Sequence, residues 1–151
     1  MIPENRLKEF LVRAKRETFS SGKKPVEMDD GSRVYTFNES PLSYQDRYFG
    51  RAIDAGQEVV LLNGDPVWSM VYRGGLEAEV DRAACFTFLK TCLQNMPEDF
   101  PARGPLNLES GVWQYTNEVT GDFSNFKGDE TILFNDRKVY FRNYCGGIVK
   151  K

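Results

Sequence analysis

The chain has 151 residues, with 20 basic against 22 acidic side chains for a formal net charge of -2, and it has no histidine. The length suits one domain, residues 1–151, with a real core, and the charge balance offers no basic face of the kind nucleic acid requires. The missing histidine excludes Ser-His-Asp and Cys-His catalysis, HExxH zinc sites and histidine proton shuttles, so any chemistry must run on carboxylates, Tyr, Lys, Arg or Cys.

At the N-terminus no uninterrupted apolar run marks a signal peptide, and no stretch approaches the ~18 apolar residues of a membrane span, so a cytoplasmic location is expected. Leu7, Phe10, Leu11, Ala14 and Phe19 recur at helical spacing and predict a helix over Glu4 to Phe19, with Pro3 at its start and Gly22 as its stop. The basic residues Lys8, Arg13, Lys15 and Arg16, and then Lys23-Lys24, read as solvated faces. Gly22 to Gly31 is polar and reads as a loop. The period then changes to two. Val34–Phe37, Leu42–Phe49, Gln57–Leu62 and Val67–Tyr72 are predicted strands, with Asn63-Gly64 as a hairpin turn and Gly74-Gly75 as the close of the fourth.

A second amphipathic helix follows, from Val80 through Phe86, Leu89 and Leu93 to Met96, and Pro97 ends it. Strands return at Leu106–Leu108, Val112–Val119, Glu130–Phe134 and Lys138–Tyr144. The three cysteines, Cys85, Cys92 and Cys145, form no CxxC pair and read as small buried hydrophobes in a reducing compartment.

Residues Gly56–Leu76 align without a gap on Gly128–Ile148. Gly56/Gly128, Glu58/Glu130, Asn63/Asn135, Tyr72/Tyr144 and both double glycines are identical. With one residue of slippage the match extends upstream to Tyr44/Tyr115 and Gly50/Gly121. The predicted fold is therefore α+β: an internally duplicated helix plus four-stranded antiparallel sheet, with repeat one at about 3–75 and repeat two at about 76–148. A pseudo-twofold axis would relate the copies and leave a groove between them. Even-length turns would preserve strand parity. One face would then carry Glu58, Val60, Leu62, Val67, Ser69 and Val71, and the opposite face Trp68, Met70 and Tyr72, matched by Tyr140, Arg142 and Tyr144.

The runs Tyr44–Gly50, Gly56-Gln57-Glu58 and Asn63–Tyr72, with Arg103-Gly104-Pro105, Tyr115, Gly121-Asp122, Phe126–Glu130 and Tyr144–Gly147, resemble an uncharacterised bacterial domain family. That family often occurs fused behind a helix-turn-helix domain in Xre-type regulators. The resemblance spans nearly the whole chain and supplies no reaction or cofactor. It implies a sensing or effector role beside a DNA-binding module, without DNA binding by this domain. This chain has no helix-turn-helix segment.

Candidate ligand-binding residues are Glu58, Trp68, Tyr72, Trp113, Tyr115, Glu118, Glu130, Arg142 and Tyr144. A glutamate on an apolar strand face needs a partner, and two facing glutamates could hold an amine or cation or share a proton. Trp and Tyr offer stacking surface with a polar tip, and Arg142, with Arg73 and Arg103, is a possible anion clamp. Asp46-Arg47-Tyr48, where the copies diverge to Asn117-Glu118-Val119, marks a place where a site could have specialised, though an exposed strand face would look the same. No EF-hand, P-loop or dinucleotide motif occurs, so neither a metal site nor a cofactor is predicted. The expected function is a non-enzymatic small-ligand-binding or sensory domain, its unknown small molecule held in the groove between the repeats. The alternatives are a hydrolase-like enzyme using Glu58 and Glu130, or Glu118, as acid and base, and a protein-interaction module or homodimer. No nucleic-acid or membrane partner is expected.

Overall fold

A computed structural model describes residues 1–151. Helix α1 (Glu4–Arg16) is followed by a 3-10 turn (Phe19–Ser21) and five strands: β1 (Val26–Glu27), β2 (Arg33–Glu39), β3 (Leu42–Gly50), β4 (Ile53–Leu62) and β5 (Asp65–Leu76). Helix α2 (Arg82–Gln94) leads to β6 (Asn107–Ser110), β7 (Trp113–Asp122), β8 (Asn125–Phe134) and β9 (Arg137–Ile148). No helix is long and apolar enough to cross a membrane.

Helix α1 stops one turn short of the predicted end. The Thr18 hydroxyl donates to the Ala14 carbonyl at 2.9 Å and Ser20 to the Lys15 carbonyl at 2.7 Å, which satisfies two of the helix's last acceptors and lets the chain turn. The Asp81 carboxylate caps α2 by accepting from the Ala84 N–H at 2.9 Å.

The strands form one antiparallel sheet of nine, in the order β1-β2-β3-β4-β5-β9-β8-β7-β6. This overturns the predicted pair of helix-plus-four-strand units. The double glycines do not close the strands. They lie inside β5 and β9, which run on and pair with each other from Trp68–Ile148 to Leu76–Tyr140. Two sheets ending at Gly75 and Gly147 would each leave an unpaired edge, whereas the β5–β9 seam joins them. The only free edges belong to β1 and β6, of two and four residues.

The predicted faces also fail, for a local reason. Asn63-Gly64 turns β4 into β5 with both residues at positive φ, as the sequence predicts, but the register shifts by one between Val60 and Leu61. A bulge at Val67 therefore flips the parity, and Trp68, Met70 and Tyr72 share a face with Glu58 and Val60. The same shift recurs between Ile132 and Leu133.

The buried core lies on that one face. Leu7, Phe10, Leu11 and Ala14 of α1 pack on Tyr44, Val60, Trp68, Met70, Phe123, Phe126 and Tyr144. Cys85, Phe88, Leu89, Cys92 and Leu93 of α2 pack on Tyr115, Ile132, Val139 and Tyr140. The opposite face carries exposed Arg47, Gln57, Val71, Arg73, Glu118, Asp129 and Asn143. Cys145 is also exposed there, contrary to its reading as a buried hydrophobe.

Candidate ligand cavity

Strand alternation places Arg33 and Tyr35 of β2, Tyr44, Asp46 and Tyr48 of β3, Asp54 and Glu58 of β4, and Tyr72 of β5 on the covered face. The two core clusters do not meet over this part of the sheet, and a cavity of about 230 Å³ remains. Its sheet wall is tyrosines and charges. Its other wall is Phe19 and the side chains of Phe86, Leu89 and Leu93 of α2, with Met96 beyond the helix end. Exposed Arg51 and Arg82 mark the mouth.

Asp46 and Glu58 are cross-strand neighbours at the floor, and their residues are 8% and 3% exposed. The Tyr72 hydroxyl donates to Asp46 Oδ1 at 2.5 Å. Gly56 makes this reach possible: a Cβ there would stand 2.6 Å from the Tyr72 hydroxyl and 2.6 Å from Tyr48 Cβ, so only glycine lets the phenol lie across β4. Lys15 Nζ lies 2.8 Å from Glu58 Oε2 and donates to the Ala102 carbonyl. By distance Lys15 and Glu58 are an ion pair, yet no aligned hydrogen bond reaches Glu58 Oε2. The amine balances the charge of Glu58 and divides its donors between that carboxylate and the loop carbonyl.

Burial, and next the neighbouring charge of Glu58, raise the Asp46 carboxyl to about 7. Burial lowers Lys15, with Glu58 opposing the shift. Burial and the two carboxylates hold the Tyr44 and Tyr72 hydroxyls well above the ordinary phenol range, so both remain neutral.

At the far side of the floor Arg142 makes a bidentate pair with Asp54 (2.7 and 3.2 Å), donates to the Tyr140 hydroxyl at 2.7 Å and stacks 4.8 Å from the Tyr72 ring. Counting all lining residues, seven are basic and three acidic. No group of three His, Cys, Asp or Glu side chains is arranged to hold a metal ion.

Corresponding positions on β7–β9 form a second polar cluster, which adjoins the cavity through Arg103. Arg103 donates to Glu130 Oε1 at 2.6 Å and the Tyr115 hydroxyl to Glu130 Oε2 at 2.5 Å. The Gly104 N–H donates to the Tyr115 oxygen at 3.1 Å, Asn117 donates to the Gly104 carbonyl at 3.1 Å, and the Tyr144 hydroxyl donates to Asn117 Oδ1 at 2.6 Å.

Of the predicted site residues, the cavity therefore brings together Glu58, Tyr72 and Arg142. Glu130, Tyr115 and Tyr144 belong to the second cluster. Trp68 is fully buried between Phe123 and Phe126, and Trp113 stacks 5.6 Å from Phe88. Glu118 is exposed on the uncovered face. Asp46 does line the cavity, rather than an exposed face. Lys15 was missed, because it sits in a basic helical stretch that reads as solvated. The signal that points to it is Glu58 itself: a carboxylate on an apolar face demands a cation from whatever lies over it.

Residues 46–149 match the model of a family described as Domain of unknown function (DUF5680). No curated protein and no solved structure matches the chain.

Proposed function

The chain belongs to this family of domains of unknown function, and we propose that it is a small-molecule-binding domain whose ligand occupies the cavity over β2–β5. One observation carries this reading: two neighbouring buried carboxylates face an open space with fewer donors than they can accept. A buried acceptor left unmade costs about 1–3 kcal/mol, more for a charged one. The second cluster avoids that cost with an arginine, an amide and a backbone loop. A first cluster serving only stability could be closed in the same way. A ligand bearing N–H donors supplies what is missing.

The domain is non-enzymatic in this reading, and its sensing role is exercised beside a DNA-binding module on another segment or chain. A thermal-shift screen over nucleotides, sugars, amines and metal salts tests it, because a ligand selective for the folded state raises the melting temperature. The expected result is a stabilising compound whose effect is lost in Asp46→Asn. A compound whose effect survives both Asp46→Asn and Glu58→Gln would move binding elsewhere.

A second reading has its own support. A carboxyl raised to about 7 beside a second carboxylate is suited to proton transfer near neutral pH. It would use Asp46 and Glu58, since both oxygens of Glu130 are occupied by Arg103 and Tyr115. Turnover of a stabilising compound, abolished by Asp46→Asn, would establish it.

A further inference from the structure

The two ends of the cavity differ in chemistry, and the difference defines what fits between them. At the floor two carboxylates, Asp46 and Glu58, lie side by side on neighbouring strands. Tyr72 donates to one Asp46 oxygen, and the Lys15 amine that stands 2.8 Å from Glu58 Oε2 is also turned to a backbone carbonyl. At the mouth the sign reverses. Arg33 and Arg51 share the single carboxylate of Glu27, at 3.0 and 3.6 Å. Arg82 and Lys90 have no acidic partner and rest over the rings of Phe86 and Phe19.

The walls between carry aromatic and aliphatic side chains on both sides. Tyr35 and Tyr48 lie stacked on the sheet side, with centroids 6.3 Å apart and planes 21° apart. Phe86, Leu89 and Leu93 face them from α2.

Resting on the cavity's reading as a small-molecule site, we infer that its ligand is a planar nitrogen heterocycle carrying an anionic group, the chemical class of a nucleoside monophosphate. Ring and amino N–H groups meet Asp46 and Glu58, the ring lies between the tyrosines and α2, and the phosphate rests among Arg33, Arg51, Arg82 and Lys90. Other small molecules satisfy only part of this. A polyamine suits the floor and is repelled at the mouth. Inorganic phosphate suits the mouth and leaves the floor unpaired. A neutral sugar gives the mouth no charge to pair with.

The test is calorimetric titration of the full chain with purine and pyrimidine nucleoside 5′-monophosphates, the matching nucleosides, ribose 5-phosphate and inorganic phosphate. We expect at least one nucleotide to bind tenfold or more tightly than both its nucleoside and ribose 5-phosphate. Asp46→Asn weakens nucleotide and nucleoside alike by tenfold or more. Arg82→Ala with Lys90→Ala weakens the nucleotide alone and flattens its salt dependence. Circular dichroism checks that each variant is folded, and Glu58→Gln stands in should Asp46→Asn fail to fold.

Ribose 5-phosphate or inorganic phosphate binding as tightly as every nucleotide overturns the proposal. So does nucleotide binding unmoved by both floor variants. An amine, amino acid or sugar that binds with Asp46 dependence, where nucleotides do not, overturns the nucleotide class and leaves the small-molecule reading standing. Failure of every compound in both panels overturns the two together.

Discussion

Glu58 and Glu130 occupy corresponding positions on β4 and β8, yet only one of the two carboxylates is saturated. Glu130 accepts from Arg103 Nε on one oxygen and from the Tyr115 hydroxyl on the other, and a loop backbone closes the ring of hydrogen bonds through Gly104 and Asn117. Glu58 meets a lysine at the end of α1, and the residue standing where Asn117 stands is a second carboxylate, Asp46. The strands and their tyrosines are alike. The difference lies in what the chain lays over them. An arginine is a planar donor array that fits a carboxylate, whereas a lysine is a point charge. An amide donates and accepts at every pH, whereas a carboxyl that has lost its proton only accepts. One half of the sheet is thus closed as internal structure, and the other has an opening over its carboxylates.

Substitutions can break this contrast from either side. The largest effect is expected from Arg103→Ala, which strands Glu130 as a buried charge and should cost about 3–5 kcal/mol in urea unfolding. Next comes Asn117→Asp. It places a carboxylate against the Gly104 carbonyl that Asn117 now donates to, and should cost about 2–3 kcal/mol at pH 8.

Asp46→Asn should act in the opposite direction, since it copies the arrangement of Asn117 beneath Tyr144. The Asp46 carboxyl holds its proton to about pH 7 when folded and to about pH 4 when unfolded. The folded state therefore binds the extra proton between these values, and stability falls as pH rises from about 4 to 7. The variant removes that fall. It should match the wild type near pH 4 and exceed it above pH 7 by at most about 4 kcal/mol, three pH units at about 1.4 kcal/mol each, read from unfolding curves across the range. Arg13→Ala sets the floor of the series. Its pairing with Glu39 is half exposed and lies outside both clusters, so the change should stay within about 0.5 kcal/mol.

What the sequence made legible was local. Asn63-Gly64 reads as a tight hairpin and is one. Gly56 and Gly128 stand out as matched glycines, and the reason is the tyrosine that lies across each from the next strand. Glu58 is conspicuous as a carboxylate among apolar neighbours, and it lies at the cavity floor. The parts that stayed hidden depend on geometry with no local mark. Val67 and Val139 look like any strand residue, yet the bulges there reverse the faces of β5 and β9. Lys15 differs from Arg13 and Arg16 only in the direction the helix gives it. The continuity of the sheet rests on pairing between residues remote in the chain, which the alternation of β5 and β9 cannot reveal.

That seam also sets an order for folding. The hairpins of β2–β5 and of β6–β9 join neighbours in sequence, and each can zip from its own turn. The β5–β9 contacts join Tyr72 to Tyr144, 72 residues onward, and they require the whole intervening chain, α2 included, to be brought round first. Refolding speed should therefore follow the closure of this central ladder, and substitutions at the seam should slow folding more than those at any outer hairpin.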